Sequence, residues 1–186
     1  MSKFLFLSIV LLVSLNVSAQ QKISFISEYI DFTIDEDYFS MNGIYNLINN
    51  TDQPINKKLS FPFTVKTSLI DSIKIMNLNN LQLVPFKKED KQIGFYLFIS
   101  PDDTLHINIF YRQNIEHKNI YILQSTKSWE KPLEEAIFTL TVLDNIRIES
   151  FSIEPDSSKT GIDNMIYYWS KYNFMPEVDL EIIIDE

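Results

Sequence analysis

A chain of 186 residues with no cysteine and a formal net charge of −9 excludes several classes of protein. It can hold no disulfide, no thiol nucleophile, no cysteine-based metal site and no cysteine-linked lipid anchor. Its 25 acidic residues against 16 basic ones disfavour binding to nucleic acid or to an anionic membrane, because both need clustered Lys and Arg side chains.

The first residues have the pattern of a secretory signal peptide. Lys3 supplies a positive charge, residues 4–15 form an apolar run, and Val17-Ser18-Ala19 offers a small-residue cleavage site. We therefore predict a signal peptide over residues 1–19 and a mature domain over 20–186, located in the periplasm or outside the cell. The absence of cysteine from a secreted chain favours a bacterial envelope or secreted protein. No second apolar run is long enough to predict a membrane span in the mature chain.

Alternation with a period of two dominates the mature region and predicts β-strands. It is plainest over residues 178–182, where Val178, Leu180 and Ile182 alternate with acids, and it recurs over residues 44–48 and 105–111. Residues 23–34, 93–99 and 120–123 are rich in β-branched and aromatic residues, which also predicts strands. Strands at roughly ten-residue spacing, separated by turns rich in Asn, Asp and Pro, are typical of a sandwich. We predict one all-β domain, an immunoglobulin-like antiparallel β-sandwich of eight or more strands.

One segment has two interpretations. Pro132 is acceptable at a first helical position, and Leu133, Ile137 and Leu140 recur at helical spacing. The β-branched and aromatic residues at 138–142 also alternate, which favours a strand. We predict a strand.

Three short patterns resemble an uncharacterised family of secreted bacterial β-sandwich proteins, a domain of unknown function. The patterns are Tyr45-x-Leu47-x-Asn49, Phe61-Pro62-Phe63 and Asn173-Phe174-x-Pro176-x-x-Asp179-Leu180-x-Ile182. Trp129 followed by Leu133, Ala136 and Phe138 fits the same likeness. The resemblance implies an extracytoplasmic β-sandwich and no assigned activity.

An aromatic cluster near the C-terminus is the first candidate for ligand binding. Tyr168, Trp169 and Tyr172 lie in one predicted strand, and exposed rings are good platforms for sugars or partner proteins. The alternative is that one face of this strand belongs to the core and a loop covers the other. Because Trp169 alternates with Tyr168 and Tyr172, these rings share no single face of an extended strand.

Acidic residues and histidines offer other candidate sites, each with a plainer interpretation. Asp35 and Asp37 could hold Ca²⁺, although the segment lacks the glycine and distal glutamate of an EF-hand and is equally typical of a solvated turn. His106 follows Asp102-Asp103 and could support acid–base chemistry, although Pro101 and these aspartates have turn composition. Glu134-Glu135 could supply a glycosidase carboxyl, but sequence gives no separation between acids.

These observations favour a non-enzymatic binding or interaction module of unknown ligand, with a protein or glycan partner in the cell envelope. A carbohydrate-binding domain that uses exposed aromatics is the first alternative, and a glycoside hydrolase-like enzyme is the second. We predict no cofactor and no nucleic-acid partner. The last strand is the expected free edge of a sheet, where a subunit of an assembly could pair.

Overall fold

In the computed structural model, which describes residues 22–185, extended strands dominate, as the alternating pattern predicts. The signal peptide prediction for residues 1–19 lies outside the described residues. The strands in chain order are β1 (Ile23–Ile34), β2 (Tyr38–Asn49), β3 (Ile55–Pro62), β4 (Ile70–Asn77), β5 (Gln82–Leu83), β6 (Phe86–Lys88), β7 (Gln92–Ile99), β8 (Thr104–Asn114), β9 (Lys118–Tyr121), β10 (Leu133–Leu143), β11 (Ile148–Phe151), β12 (Ser157–Thr160), β13 (Asn164–Phe174) and β14 (Leu180–Ile184). Two 3₁₀ segments, Thr67–Leu69 and Gln124–Trp129, interrupt them.

Eight strands form one large sheet in the order β12-β13-β10-β1-β2-β8-β4-β5, and two three-stranded sheets have the orders β11-β14-β9 and β3-β7-β6. Neighbouring strands are antiparallel except β1 and β10, which pair in parallel from Ser27↔Glu135 to Ile34↔Val142. The prediction of a purely antiparallel sandwich is therefore wrong at this pair. The all-β class is confirmed, whereas the immunoglobulin-like type is not.

The large sheet buries one face and leaves the other towards solvent. In β8, Leu105, Ile107, Ile109 and Tyr111 are buried while the residues between them are more accessible. The small sheets cover the buried face, since the ring of Phe32 in β1 lies 5.2 Å from that of Tyr121 in β9. These layers enclose a single core rich in aromatic and β-branched side chains, consistent with a β-sandwich.

Two local predictions are confirmed and one is wrong. Residues 133–143 form strand β10, and its alternating burial explains why the β-branched run does not form a helix. The turn before Tyr38 closes the β1–β2 hairpin. Strand β14, however, lies between β11 and β9 and not at a free edge, so both sides of its backbone are paired. Within the described residues, no helix is long and apolar enough to cross a membrane.

Candidate functional site

A cavity of about 330 Å³ lies where the large sheet meets strands β3 and β7 and the 3₁₀ segment Gln124–Trp129. This volume falls within the range of small-molecule binding pockets. Apolar and aromatic side chains form most of its wall, and Lys57, Ser125 and Ser128 are exposed members of the lining. The cavity therefore combines an apolar body with an entrance at the surface.

A β-bulge in β1 brings a carboxyl group into this cavity. The pairing with β2 shifts register between Phe25 and Ser27, so one residue of β1 is left without a partner. Before the bulge, Ile23 and Phe25 point inward, whereas after it Glu28 and Ile30 do. The shift in parity places both Phe25 and Glu28 on the cavity wall.

Glu28 is the one acidic residue in the cavity lining, and it is 2% exposed. Its Oε2 accepts a hydrogen bond from the Tyr121 hydroxyl at 3.3 Å. Its Oε1 is buried and has no hydrogen-bond partner among the residues that the structure describes. None of the ion pairs found within residues 22–185 includes Glu28. A buried polar atom without a partner is costly, which marks this oxygen as a functional candidate.

The cavity environment changes the protonation of Glu28. Burial raises its pKa from the ordinary value of 4.5 to about 8, and the hydrogen bond from Tyr121 only partly opposes that rise. At neutral pH the carboxyl group is therefore mostly protonated. Burial also raises the pKa of Tyr45 and of Tyr121 well above the usual value, so both hydroxyls keep their protons.

Tyr45 and Tyr121 extend the polar network behind Glu28. Their hydroxyl oxygens lie 2.9 Å apart, and the Tyr45 hydroxyl also lies 3.8 Å from the Met41 sulfur. The backbone of Gly43 gives this hydroxyl room, because a Cβ there would lie 2.8 Å from the Tyr45 oxygen and 2.7 Å from Cδ1 of Ile30. A side chain at position 43 would displace both of them.

Aromatic and cationic groups lie near the exposed part of the lining. Trp129 is the last residue of the 3₁₀ segment, and its ring lies 5.8 Å from the Phe25 ring. Nζ of Lys57 lies 5.3 Å from the Trp129 ring centroid, within the range of a cation–π contact. Trp129 is thus held between the wall of the cavity and a surface lysine.

The structure separates the three aromatic residues predicted to bind ligand. Trp169 is 1% exposed, donates its indole N–H to the Ile153 carbonyl at 2.8 Å and packs on Phe151, so it cannot be part of an exposed row. Tyr172 is 67% exposed and Tyr168 is half-buried. The prediction of an exposed platform is wrong for Trp169, because this residue lies on the face of β13 that belongs to the core. Ligand binding by Tyr168 and Tyr172 stays a prediction.

Tyr168 and Tyr172 lie on the outer face of the large sheet. Tyr172 pairs in register with Glu135, which accepts a hydrogen bond from the Tyr29 hydroxyl at 2.5 Å. Glu135 is therefore engaged on the outer face, and neither it nor Glu134 lines the cavity.

The other predicted polar sites form surface structure. Oδ1 of Asp35 accepts hydrogen bonds from the backbone N–H of Asp37 at 3.0 Å and of Tyr38 at 2.7 Å, which closes the hairpin turn. Nδ1 of the exposed His106 lies 2.6 Å from Oδ1 of Asn46. Across residues 22–185, no three His, Cys, Asp or Glu side chains are grouped so that they could hold a metal ion.

Sequence reasoning did not identify Glu28, although a signal for it exists. The apolar residues of β1 change parity, from Ile23 and Phe25 to Ile30, Phe32 and Ile34. Such a change predicts a bulge, and Glu28 is in phase with the second set. An acidic residue that points to the same side of a strand as a series of buried apolar residues is predicted to be buried.

Comparison with solved structures finds the same fold in proteins of different sequence. A protein of Legionella pneumophila described as a "putative nutrient binding protein" has a TM-score of 0.71 at 15% identity, over 89% of this chain and 67% of that chain. The M1 zinc metallopeptidase of Deinococcus radiodurans has a TM-score of 0.51 at 12% identity, over 89% of this chain and 42% of that chain. At these identities the likeness shows the fold alone.

No protein-family model matches the sequence, and no curated protein is a significant match. This chain spans less than half the length of the metallopeptidase. The HExxH zinc pattern needs two histidines four positions apart, whereas the two histidines of this sequence are His106 and His117. That pattern is absent from the 186 residues.

Proposed function

We propose that this protein is a binding module that holds a small molecule in the cavity beside Glu28. The observation that carries the proposal is a 330 Å³ cavity whose lining includes Glu28, a buried residue whose Oε1 atom has no hydrogen-bond partner in the described residues. Binding sites combine an apolar body with a few convergent polar groups, and this cavity has that composition. The description of the Legionella protein is compatible with such a module.

A screen of ligands by thermal shift tests this proposal. The compounds are amino acids, amines, alcohols, carboxylates, and mono- and oligosaccharides. A ligand at 100 times its Kd stabilises the native state by about 2.7 kcal/mol. In a chain of this size that corresponds to a rise in Tm of roughly 5–10 °C. We expect at least one compound class to give such a rise.

Two serine variants show whether the cavity is responsible. Ser128→Trp adds bulk at an exposed position of the lining, whereas Ser150→Trp adds the same bulk on exposed β11, outside the lining. We expect Ser128→Trp to abolish the shift and Ser150→Trp to keep it. A screen without any shift, or a shift that survives Ser128→Trp, would contradict binding in this cavity.

We also propose that the module works in the periplasm or outside a bacterial cell after loss of residues 1–19. The charge, apolar run and small residues of the leader support this location. The measurement is the N-terminal sequence of the protein recovered from the periplasm and the medium. We expect it to begin at Gln20. Recovery of the chain only from the cytoplasm, still beginning at Met1, would contradict this proposal.

A further inference from the structure

We propose that the cavity selects organic ammonium compounds, with the apolar body among the aromatic rings and the ammonium group donating a hydrogen bond to Oε1 of Glu28. This inference deepens the proposed function and rests on it, because it names the chemical class of the ligand. The observations behind it are the cavity and Glu28, a lining residue whose buried Oε1 atom has no hydrogen-bond partner in the described residues.

The hydrogen-bond chain leaves Oε1 as the carboxyl oxygen of Glu28 that lacks a partner. A phenol has one proton, and Tyr121 donates its proton to Oε2 of Glu28. The Tyr121 oxygen can therefore accept from the Tyr45 hydroxyl, 2.9 Å away. Both hydroxyls are satisfied within the chain, so the remaining demand for a partner lies at Oε1.

An ammonium group satisfies this oxygen better than a neutral donor. An ionised carboxylate in an apolar wall lacks a counter-charge, and a ligand cation supplies one together with a charge-assisted hydrogen bond. The rings of Phe25, Tyr45, Tyr121 and Trp129 line the same cavity, and the face of an aromatic ring attracts a cation. Above pH 8, where the Glu28 carboxyl group is ionised, an anionic ligand would meet a like charge.

The charges around the site allow a cation to enter. Lys57 lies against the Trp129 ring, and Lys58 pairs with Glu89 at 3.5 Å. The protein as a whole carries a formal charge of −9, which attracts cations and repels anions at long range. Lys57 and Lys58 are the basic side chains in the lining, and both are exposed to solvent.

Binding of an ammonium compound is expected to depend on pH. The groups that face Glu28 are Tyr121 from β9 and Tyr45 from β2, Tyr111 in β8 lies behind these two, and Lys57 from β3 lies at the surface. Because the pKa of Glu28 is about 8, binding below pH 8 releases about one proton per ligand. Affinity should therefore rise about tenfold per pH unit between pH 5 and pH 7 and level off above pH 8.

Calorimetric titration with two isosteric probes tests the inference. The probes are 2-phenylethylammonium and 2-phenylethanol, which differ only in the polar group, and the proteins are wild type, Glu28→Gln and Glu134→Gln. Glu134 is an exposed residue of β10 outside the lining and serves as the control. We expect wild type at pH 8 to prefer the ammonium probe at least tenfold, with that preference lost in Glu28→Gln and kept in Glu134→Gln.

The outcomes separate this inference from the proposed function. Equal binding of both probes, or an ammonium preference that survives Glu28→Gln, overturns the ammonium assignment, while sensitivity to Ser128→Trp still supports a binding cavity. If neither probe binds at millimolar concentration, the assignment is also wrong, and a ligand of another class from the thermal-shift screen would still uphold the proposed function. If Glu28→Gln does not fold, proton release by the wild type can be measured instead, in buffers of different ionisation enthalpy. Release of about one proton per ammonium ligand below pH 8 would support the assignment, and binding without proton release would contradict it.

Discussion

Glu28→Gln is expected to become more stable than the wild type as the pH rises from 4.5 to about 8. The folded state holds the Glu28 proton up to a pKa of about 8, whereas an unfolded chain releases it near 4.5. Between these values the native state binds more protons, so wild-type stability falls with rising pH. At about 1.4 kcal/mol per pH unit, the loss approaches about 5 kcal/mol. Glutamine has no proton to lose and avoids it.

The stabilising contribution of Glu28 is expected to decrease as the pH rises, and urea unfolding can measure this decrease. The contribution of Glu28 is fully present below pH 4.5, declines between 4.5 and 8, and is absent above about 8. Urea unfolding of wild type and Glu28→Gln at pH 5, 6, 7, 8 and 9 gives two curves of unfolding free energy. Their difference should increase with pH in favour of glutamine and then level off.

The exposed residue Glu134 provides the matched control for this experiment. Glu134→Gln makes the same chemical change on the surface of β10, so its stability curve should run parallel to that of the wild type. A difference between wild type and Glu28→Gln that stays constant from pH 5 to 9 would show that the Glu28 carboxyl is not held protonated in the cavity wall.

Phe32→Ala should cost about 3–5 kcal/mol of unfolding free energy, the usual range for removing a buried phenylalanine. Phe32 is 0% exposed, and its ring stacks on Phe39 at 5.7 Å and meets Tyr121 edge-on at 5.2 Å. The ring joins the large sheet to β9, so its loss leaves a cavity between two layers. Because domains are stable by only about 5–15 kcal/mol, this variant should be close to unfolding.

Phe98→Ala is the comparison for Phe32→Ala. Phe98 lies in β7 and is 62% exposed, so the same truncation there should change the unfolding free energy by less than about 0.5 kcal/mol. Urea unfolding should show a midpoint lowered by at least about 1 M for Phe32→Ala and almost unchanged for Phe98→Ala. Similar midpoints for both variants would contradict the assignment of Phe32 to the centre of the core.

The buried carboxyl links stability to the proposed binding. Above pH 8 the ionised Glu28 carboxyl is expected to destabilise the native state. The presence of such a residue is explained if a ligand supplies the hydrogen-bond partner that the carboxyl lacks. Replacing Glu28 with glutamine should therefore stabilise the free protein and weaken ammonium binding at the same pH. A purely structural glutamate would produce the first effect without the second.

Local pattern alone determined much of the secondary structure. The β-branched and aromatic run over residues 23–34 matches β1, the alternation over residues 105–111 lies within β8, and the acidic turn before Tyr38 closes the first hairpin. These predictions succeed because period-two alternation reports burial on one side of a strand, which is a property of neighbouring residues. The same alternation could not show which face of β13 is covered, and it left open whether Trp169 lies at the surface or, as the structure has it, in the core.

Only the tertiary structure decided which strands meet and what lies between them. The parallel pairing of β1 with β10 joins residues 108 positions apart, as at Ser27↔Glu135, and β14 is enclosed by β11 and β9. The cavity requires β1, β3, β7 and the 3₁₀ segment at once, and Oε2 of Glu28 gains its hydrogen bond only when Tyr121 arrives from β9. The sequence alone determined the all-β class and several of the strands, whereas the site depends on contacts between segments far apart in the chain, whose packing no local pattern encodes.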